Sequence, residues 1–450
     1  AIAMNVDPSI FKAYDIRGIY PSQLDEATAR AVGRAFATYL QPSKVVVGRD
    51  MRLSSPAVCA ALMAGLTQQK VDIIDLGMVS TDQYYYACAT LDLPGLMVTA
   101  SHNPPEYCGF KMVRKMPYLL SGDAGIQDLR RIIEAESYSD ALGSGRIEQR
   151  DLSADFVDCV LGLVDITSMR PLKVVADTGN GMVGPILERV YDRLPVELVG
   201  MYLDPDGSLP NHGLDPMKEE NRAELQQRVI DEGAAIGFAF DGDGDRFFAI
   251  DDRGQFVPGD FLTALMGCYL LGREPGAKVI SDVRCSWAVR DRIVQAGGQS
   301  LVERVGHSYL KPRMFEENAI FAGELSGHYY FRDFFGADSG IVPSLILLQM
   351  LSEGGGEPLS RLLTSLEDRY FISWEINSRV DDPQAKLEEL ANRYGDGHIE
   401  RLDGISVSFD DWHFNVRASN TEPLLRLNLE ALTQQRMEDK RDEVLAIIRT

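Results

Sequence analysis

Asp241-Gly-Asp-Gly-Asp245 sets three carboxylates at alternate positions, with a glycine between each pair that lets the backbone curl. Carboxylate oxygens are hard ligands, and three that converge on one point form a site for Mg2+ or Ca2+. Carboxylates packed this closely repel strongly without a cation, which weighs against the alternative of a solvated acidic turn. An EF-hand also begins with alternating Asp, but its sixth position must be Gly, where this chain has Arg246. The loop also follows the apolar run Ile236–Phe240, which reads as a buried strand and not a helix.

Ser101 is the second reactive feature, placed in Thr99-Ala-Ser-His-Asn-Pro-Pro105 where a β-run breaks. A serine hydroxyl is a poor nucleophile unless a base or a metal activates it. His102 is adjacent and Lys111 follows after the Pro-Pro turn. Taken alone, Ser101 reads equally as a helix N-cap. Beside a triple-carboxylate site in an acidic protein it becomes the candidate phosphate carrier. A phosphoserine adds up to about two negative charges, which a cation and basic side chains must neutralise.

Three similar groups of short apolar runs position these residues. The first contains Lys44–Asp50, Val71–Gly77 and Gly95–Ser101; the second, Lys173–Asp177, Val196–Gly200 and Ile236–Asp241; the third, Lys278–Asp282, Ser300–Val305 and Ile320–Glu324. Helix-like stretches such as Pro56–Gln69 and Pro185–Arg193 separate the first and second runs. Each group therefore reads strand–helix–strand–helix–strand, and the matching order points to duplication. The runs are nearly all apolar, as expected of parallel strands buried on both faces. The third run of each group leads into its most unusual sequence: Thr99–Pro105, Asp241–Arg246 and Gly323-Glu-Leu-Ser-Gly-His328. Ligands of open α/β sheets gather at carboxyl ends of strands.

The fold class expected is α/β: three tandem, similar α/β domains with mixed, mostly parallel sheets, plus a smaller C-terminal α+β domain, their loops meeting in a central cleft. The boundaries expected are 1–148 with the serine loop, 149–251 with the metal loop, 252–364 with the third loop, and 365–450. In the last segment Ile405–Phe409, Trp412–Val416 and Leu424–Leu429 read as strands, followed by a helix from about Gln435. Its loop Arg417-Ala-Ser-Asn-Thr421 has a phosphate-friendly composition.

With 450 residues the chain is too long for one core. Its net charge of −22 argues against nucleic acid, since no basic excess exists to displace counterions. Arg and Lys near a site are correspondingly informative. Six scattered cysteines, without a C-x-x-C pair, fit neither a disulfide framework nor a zinc site and suggest the cytoplasm. No signal-peptide pattern is evident, and Ala1–Ala3 ahead of Met4 is set aside. The apolar stretches Phe261–Leu271 and Ile341–Leu351 are too short to span a bilayer, which needs roughly 20 residues, so no membrane partner is expected.

Ser101 with its flanks, Asp241–Arg246, Gly323–His328 and Arg417–Thr421, together with Lys12-Ala-Tyr-Asp-Ile-Arg-Gly18, resemble the α-D-phosphohexomutases along the whole chain. The bacterial phosphomannomutase/phosphoglucomutase branch is the most similar. The resemblance implies a phosphorylated Ser101 holding Mg2+ with Asp241, Asp243 and Asp245. It further implies reversible phosphoryl transfer between C1 and C6 of mannose or glucose phosphates, with hexose 1,6-bisphosphate as intermediate and activator. Lys111 and His328 become the candidate acid/base groups, Lys111 requiring a pKa lowered by neighbouring cations. Arg246 and His102 flank the serine and the metal. Glu324 and Ser326 match a sugar-gripping loop, and His307 belongs to a second sugar-facing one. Arg417, Ser419, Asn420 and Thr421 match the loop that holds the non-transferring phosphate, with Tyr14, Arg17 and Arg284 assigned to the same site.

Arg284 stands where the family usually has Lys, Cys108 where it often has Asn, and Leu325 where Met is frequent. His212 is assigned no role, and Arg49 with Asp50 reads as either an ion pair or a substrate contact. The alternatives are a phosphoglucosamine mutase and a metal-dependent sugar-phosphate phosphatase. The partners expected are small hexose phosphates, and a monomer is the expected form.

Overall fold

The computed structural model describes residues 4–450; Ala1–Ala3, set aside above, lie outside the described residues. Runs rich in Val and Ile, residues that fit a pleated buried surface, become the strands of three related sheets. In the first, Lys44–Arg49 pairs in parallel with Asp72–Met78 on one side and Gly95–Val98 on the other. Helices Ser55–Gln68 and Thr81–Leu91 make the crossovers. Tyr107–Lys115 then adds antiparallel to Gly95–Val98, and Ile16–Ile19 antiparallel to it.

The second group repeats the plan. Lys173–Asp177 lies between Glu197–Met201 and Ile236–Phe240, both parallel to it, and Phe247–Ile250 is antiparallel to Ile236–Phe240. In the third, Lys278–Asp282 is flanked in parallel by Gln299–Glu303 and Phe321–Gly323, with helices Trp287–Gln295 and His307–Glu317 as crossovers.

Two expectations need correction. The central strands are buried, but Glu197–Met201 and Gln299–Glu303 lie at sheet edges and are largely exposed or half-buried, apart from Met201. Glu197, Gln299 and Glu303 supply the polar character that keeps such an edge from pairing with another chain. The first site loop also begins earlier than predicted. Gly95–Val98 ends short of Ser101 because the chain turns back to run antiparallel, with Val98 opposite Phe110. The Ser101 and Asp241 loops are therefore both connections to an antiparallel neighbour, not strand-to-helix turns.

The chain divides into two compact units. One comprises the chain through Val257 together with His328–Gly356; the other, Pro258–Gly327 with Glu357–Thr450. The segment 252–364 is thus divided, its parallel strands in the second unit and His328–Gly356 in the first. The second unit also holds an antiparallel sheet in which Leu424–Ala431 pairs with Trp412–Ala418, which pairs with Ile405–Ser408. Trp412, Phe414 and Val416 alternate into a core closed by helices Pro383–Arg393 and Gln434–Ile448. The stretch Phe261–Leu271 lies in helix Gly259–Leu271, and Ile341–Leu351 lies in helix Ile341–Glu353. Among the described residues no helix is long and apolar enough to cross a membrane.

Candidate active site

Ser101 sits in the left-handed region, at φ 52°. Few residues other than glycine adopt this conformation unless their surroundings enforce it. Here the backbone is tied down. Ser101 N donates to Thr99 Oγ1 at 3.0 Å, and Thr99 Oγ1 donates to Asp50 Oδ2 at 2.6 Å. Arg52 spans the loop, its guanidinium donating to the carbonyls of Ser101, Asn103, Pro104 and Tyr107 at 2.7–3.2 Å. Asp50 pairs with Arg52, Nε to Oδ2 at 3.2 Å, so the partner that matters is Arg52 and not the adjacent Arg49. Ser101 caps no helix; its Oγ donates to Asp241 Oδ2 at 2.8 Å.

Asp241, Asp243 and Asp245 are all buried, and one oxygen from each lies within 4.8 Å of the others. The two glycines between them do different work. Gly244 adopts φ 77°, while a Cβ at Gly242 would come within 2.5 Å of the Ser101 carbonyl oxygen. One glycine makes the turn, and the other lets the metal loop lie against the serine loop. Thr81 braces the loop from the start of its helix, Oγ1 donating to Asp243 Oδ2 at 2.6 Å and N to Asp243 O at 2.8 Å.

Asp243 Oδ1 and Asp245 Oδ1 are buried without a hydrogen-bond partner. A buried carboxylate oxygen in this position is costly unless a cation satisfies it. The three oxygens, hard and convergent, fit a divalent cation. Electrostatics agree. Burial and then the charges of Asp245 and Asp243 push Asp241 well above the usual carboxylate range. Asp245 is held below its usual range despite burial, mainly by Lys111.

Lys111 corrects the sequence reading. Its Nζ lies 2.6 Å from Asp243 Oδ2 and 2.5 Å from Asp245 Oδ2. Burial alone would lower its pKa, but these two carboxylates outweigh burial and raise it. The expected lowering does not occur, because the nearest charges are acidic. His102 is the opposite case. Burial first, then Arg246 and Arg17, push it well below its ordinary value, so it is a neutral imidazole, with Nδ1 buried and unpartnered. Arg17 donates to Asn103 Oδ1 and to Asp15 Oδ2, both at 2.5 Å. Arg246 donates through Nε to Asp241 Oδ2 at 3.1 Å and through Nη2 to Asp215 Oδ1 at 3.3 Å.

His328 shares the first unit with these groups. Its Nδ1 lies 2.9 Å from Asp338 Oδ2, and a nitrogen of its ring lies within 4.8 Å of oxygens from Asp245 and Asp338. A carboxylate on one ring nitrogen fixes the orientation and raises the basicity of the imidazole. Tyr14 lies half-buried just ahead of Arg17.

In the second unit, other predicted residues form a chain of contacts. Arg417 Nε donates to Asp403 Oδ1 at 3.3 Å, and Asp403 Oδ2 accepts from Val305 N at 3.0 Å. Glu324 Oε1 accepts from Gly306 N at 2.7 Å, ahead of His307 at the start of its helix. Arg284 forks onto Asp282, with Nε and Nη2 each 3.0 Å from a carboxylate oxygen, and Asp282 Oδ2 accepts from Leu325 N at 2.8 Å, beside Ser326. Ser419 Oγ and Thr421 Oγ1 are 3.4 Å apart at a loop tip where Asn420 and Thr421 are exposed.

Arg52, Thr81, Asp215, Asp338 and Asp403 escaped the sequence reading. Arg52, Thr81 and Asp215 act on partners more than thirty residues away on loops or elements of their own, so local spacing carries no signal for them. Asp338 alone had a cue, an acidic residue shortly after a suspected catalytic histidine.

Four family descriptions match the chain in order. They are the phosphoglucomutase/phosphomannomutase alpha/beta/alpha domains I, II and III, over residues 8–140, 154–254 and 258–370, and the C-terminal domain over 375–447. A phosphomannomutase of Salmonella montevideo is 38% identical over 97% of this chain and 98% of its own length. A phosphomannomutase of Escherichia coli K12 is 39% identical over 94% of each chain. The solved structure of a phosphoglucomutase/phosphomannomutase family protein from Burkholderia thailandensis is 37% identical. It superposes with a TM-score of 0.91 over 98% of this chain and 97% of that one. Such similarity along the whole length makes this a hexose-phosphate mutase, an isomerase that transfers a phosphoryl group intramolecularly, and the chain belongs to the phosphoglucomutase/phosphomannomutase family.

Proposed function

We propose that Ser101 is the phosphate carrier of this mutase, which interconverts the 1- and 6-phosphates of mannose, glucose or both through a hexose 1,6-bisphosphate. The observation that carries this reading is the 2.8 Å hydrogen bond from Ser101 Oγ to Asp241, inside a buried carboxylate triad with two unpartnered oxygens. Asp241, Asp243 and Asp245, with Ser101, would hold Mg2+. When bound, such a cation neutralises charge developing on the transferring phosphoryl group.

The protein's own groups divide the remaining work. Lys111 holds the Oδ2 atoms of Asp243 and Asp245 and leaves their Oδ1 atoms for a cation, so it acts as an ammonium beside the transferring phosphoryl group. Arg246, fixed between Asp241 and Asp215, presents a second positive group that cannot lose its proton. His102, neutral and enclosed, packs the serine loop and offers no charge. The proton of the sugar hydroxyl goes to Nε2 of His328, whose Nδ1 is engaged by Asp338. Glu324, Ser326 and His307 are assigned to the sugar hydroxyls. Arg417, Ser419, Asn420 and Thr421, with Tyr14, Arg17 and Arg284, are assigned to the phosphate that stays in place. Guanidinium forks and hydroxyls suit a phosphate gripped in either sugar orientation. Six free thiols support a reducing, cytoplasmic setting, and a monomer suffices for this chemistry.

The test is direct. Purified protein with Mg2+ and a trace of glucose 1,6-bisphosphate converts mannose 1-phosphate to mannose 6-phosphate without releasing inorganic phosphate. Release of inorganic phosphate in place of isomerisation would overturn the reading, and faster turnover of glucosamine 1-phosphate would reassign the substrate.

A further inference from the structure

Behind the metal loop, the segment Leu209–Pro216 runs without regular secondary structure and touches the site at two points. Leu214 packs against the metal loop closely enough that a Cβ on Gly242 would lie 2.8 Å from its Cδ1. Asp215 Oδ1 holds Arg246 Nη2 at 3.3 Å, while Arg246 Nε holds Asp241 Oδ2 at 3.1 Å. The position of this segment therefore sets the position of Arg246.

Side-chain bonds hold the segment along its length: toward its end, Asn221 Nδ2 donates to Asp215 O at 3.0 Å and Arg222 Nη1 to Pro216 O at 3.2 Å, and three more anchors lie around His212. Asn211 Nδ2 donates to Asn180 Oδ1 at 2.8 Å, and Gly213 N donates to Asn221 Oδ1 at 2.9 Å. The third is His212, whose Nε2 lies 2.7 Å from Asp177 Oδ2 and whose Nδ1 lies 2.8 Å from Gly213 O. Both partners are acceptors. A neutral imidazole has one N–H and can satisfy only one of them, whereas an imidazolium donates to both. The ring is well enclosed, at 14% side-chain exposure against 2% for Asp177. Gly179 lies beneath it, where a Cβ would be 3.0 Å from ring Cε1.

We infer that His212 is a positioning residue, an imidazolium clamp between Asp177 and Gly213 that fixes Leu209–Pro216 and, through Asp215, the guanidinium of Arg246. This rests on the reading of Arg246 as part of the phosphoryl-transfer machinery. The charged and titratable groups that face the ring are few. Asp177 comes from the end of strand Lys173–Asp177, and Glu224 from helix Glu219–Glu232. Tyr202, whose ring meets His212 edge-on at 5.7 Å, spends its hydroxyl on Glu224 at 2.6 Å. Burial opposes the charge, but the bond to Asp177, its negative charge and the Gly213 carbonyl outweigh it and raise the His212 pKa above its ordinary value. The clamp consequently persists to higher pH than an ordinary imidazole would allow and is released as pH rises through that elevated pKa.

The test measures mutase turnover against pH for the Mg2+-loaded enzyme and for His212→Gln, whose amide carries no titrating proton. The wild type loses roughly tenfold in kcat along an alkaline limb, and His212→Gln is about tenfold slower at neutral pH and lacks that limb. Asp177→Asn, which leaves the ring in place, moves the limb to lower pH. Ring 15N spectra of the wild type, assigned by loss of the signal in His212→Gln, show both nitrogens protonated at pH 6 and titrate with the limb. A His212→Gln enzyme within twofold of wild type, or one slowed but keeping the same limb, overturns the clamp. So does a neutral ring at pH 6. Should His212→Gln fail to fold, the Asp177→Asn profile and the wild-type 15N titration against the limb decide alone. Arg246→Lys separates this from the parent reading: an unslowed Arg246→Lys would remove Arg246 from the machinery while the ring titration stood as measured.

Discussion

The Asp241–Arg246 loop and the Arg417–Thr421 loop both leave the ends of strands, and both are assigned to phosphate chemistry, yet they are built in opposite ways. In the first every residue is buried and each carboxylate has a neighbour that fixes it: Ser101 and Arg246 on Asp241, Thr81 on Asp243, Lys111 on Asp243 and Asp245. In the second only Arg417 is held by a charged partner, Asp403, and the loop tip is exposed. Where charge is transferred, donors and acceptors must already be in position, because reorganisation during reaction costs rate. A loop that grips a spectator phosphate, in either orientation of the sugar, works better when its hydroxyls can adjust. Burial depth thus separates the chemistry from the holding.

Substitutions in the two loops sharpen or break that contrast. Ser101→Ala, which removes the hydroxyl proposed as carrier, lowers turnover by more than about a thousandfold while leaving substrate affinity nearly intact. Undiminished steady-state turnover would end the carrier assignment. Next comes Asp243→Asn, expected to cut kcat about a hundredfold and to raise the Mg2+ concentration needed for half-maximal rate. Its check is a metal titration after chelation, and an unchanged half-point would break the view of the buried loop as the cation site. Arg417→Ala should act on the other parameter. The loss of a charge-assisted bond worth roughly 1.5–3 kcal/mol raises KM about ten- to a hundredfold, with kcat changed far less. A fall in kcat at constant KM would erase the distinction between the loops. Asn420→Ala, at the exposed tip, is expected to change kcat/KM by roughly twofold or less, and its melting temperature should match wild type.

Much of this arrangement was legible in the chain because it depends on local pattern. Alternating Asp and Gly announce a loop of convergent carboxylates, which Asp241, Asp243 and Asp245 form, and Val- and Ile-rich runs at regular spacing announce the repeated sheets. The strands Lys173–Asp177 and Lys278–Asp282 fall where those runs lie. Edge exposure at Glu197–Met201 and the antiparallel return after Ser101 were not legible, since both depend on which strand becomes a neighbour. The acidic surroundings of Lys111 were not legible for the same kind of reason. Its pKa is set by Asp243 and Asp245, more than a hundred residues away in sequence and in hydrogen-bond contact in space. Arg52 shows the limit most clearly: an ordinary surface-type residue by composition, it is buried and holds four carbonyls of the serine loop.

The left-handed backbone at Ser101 also constrains which amino acid can occupy the position proposed as carrier. Threonine offers the same hydroxyl and the same phosphate ester, but a β-branched residue at positive φ is a genuine outlier. Asparagine and aspartate visit this region more readily than most. An aspartate at position 101 would therefore keep the turn and bring a permanent negative charge against Asp241, resembling a loaded enzyme that can never discharge. The backbone angle, as much as the hydroxyl, makes this position a serine.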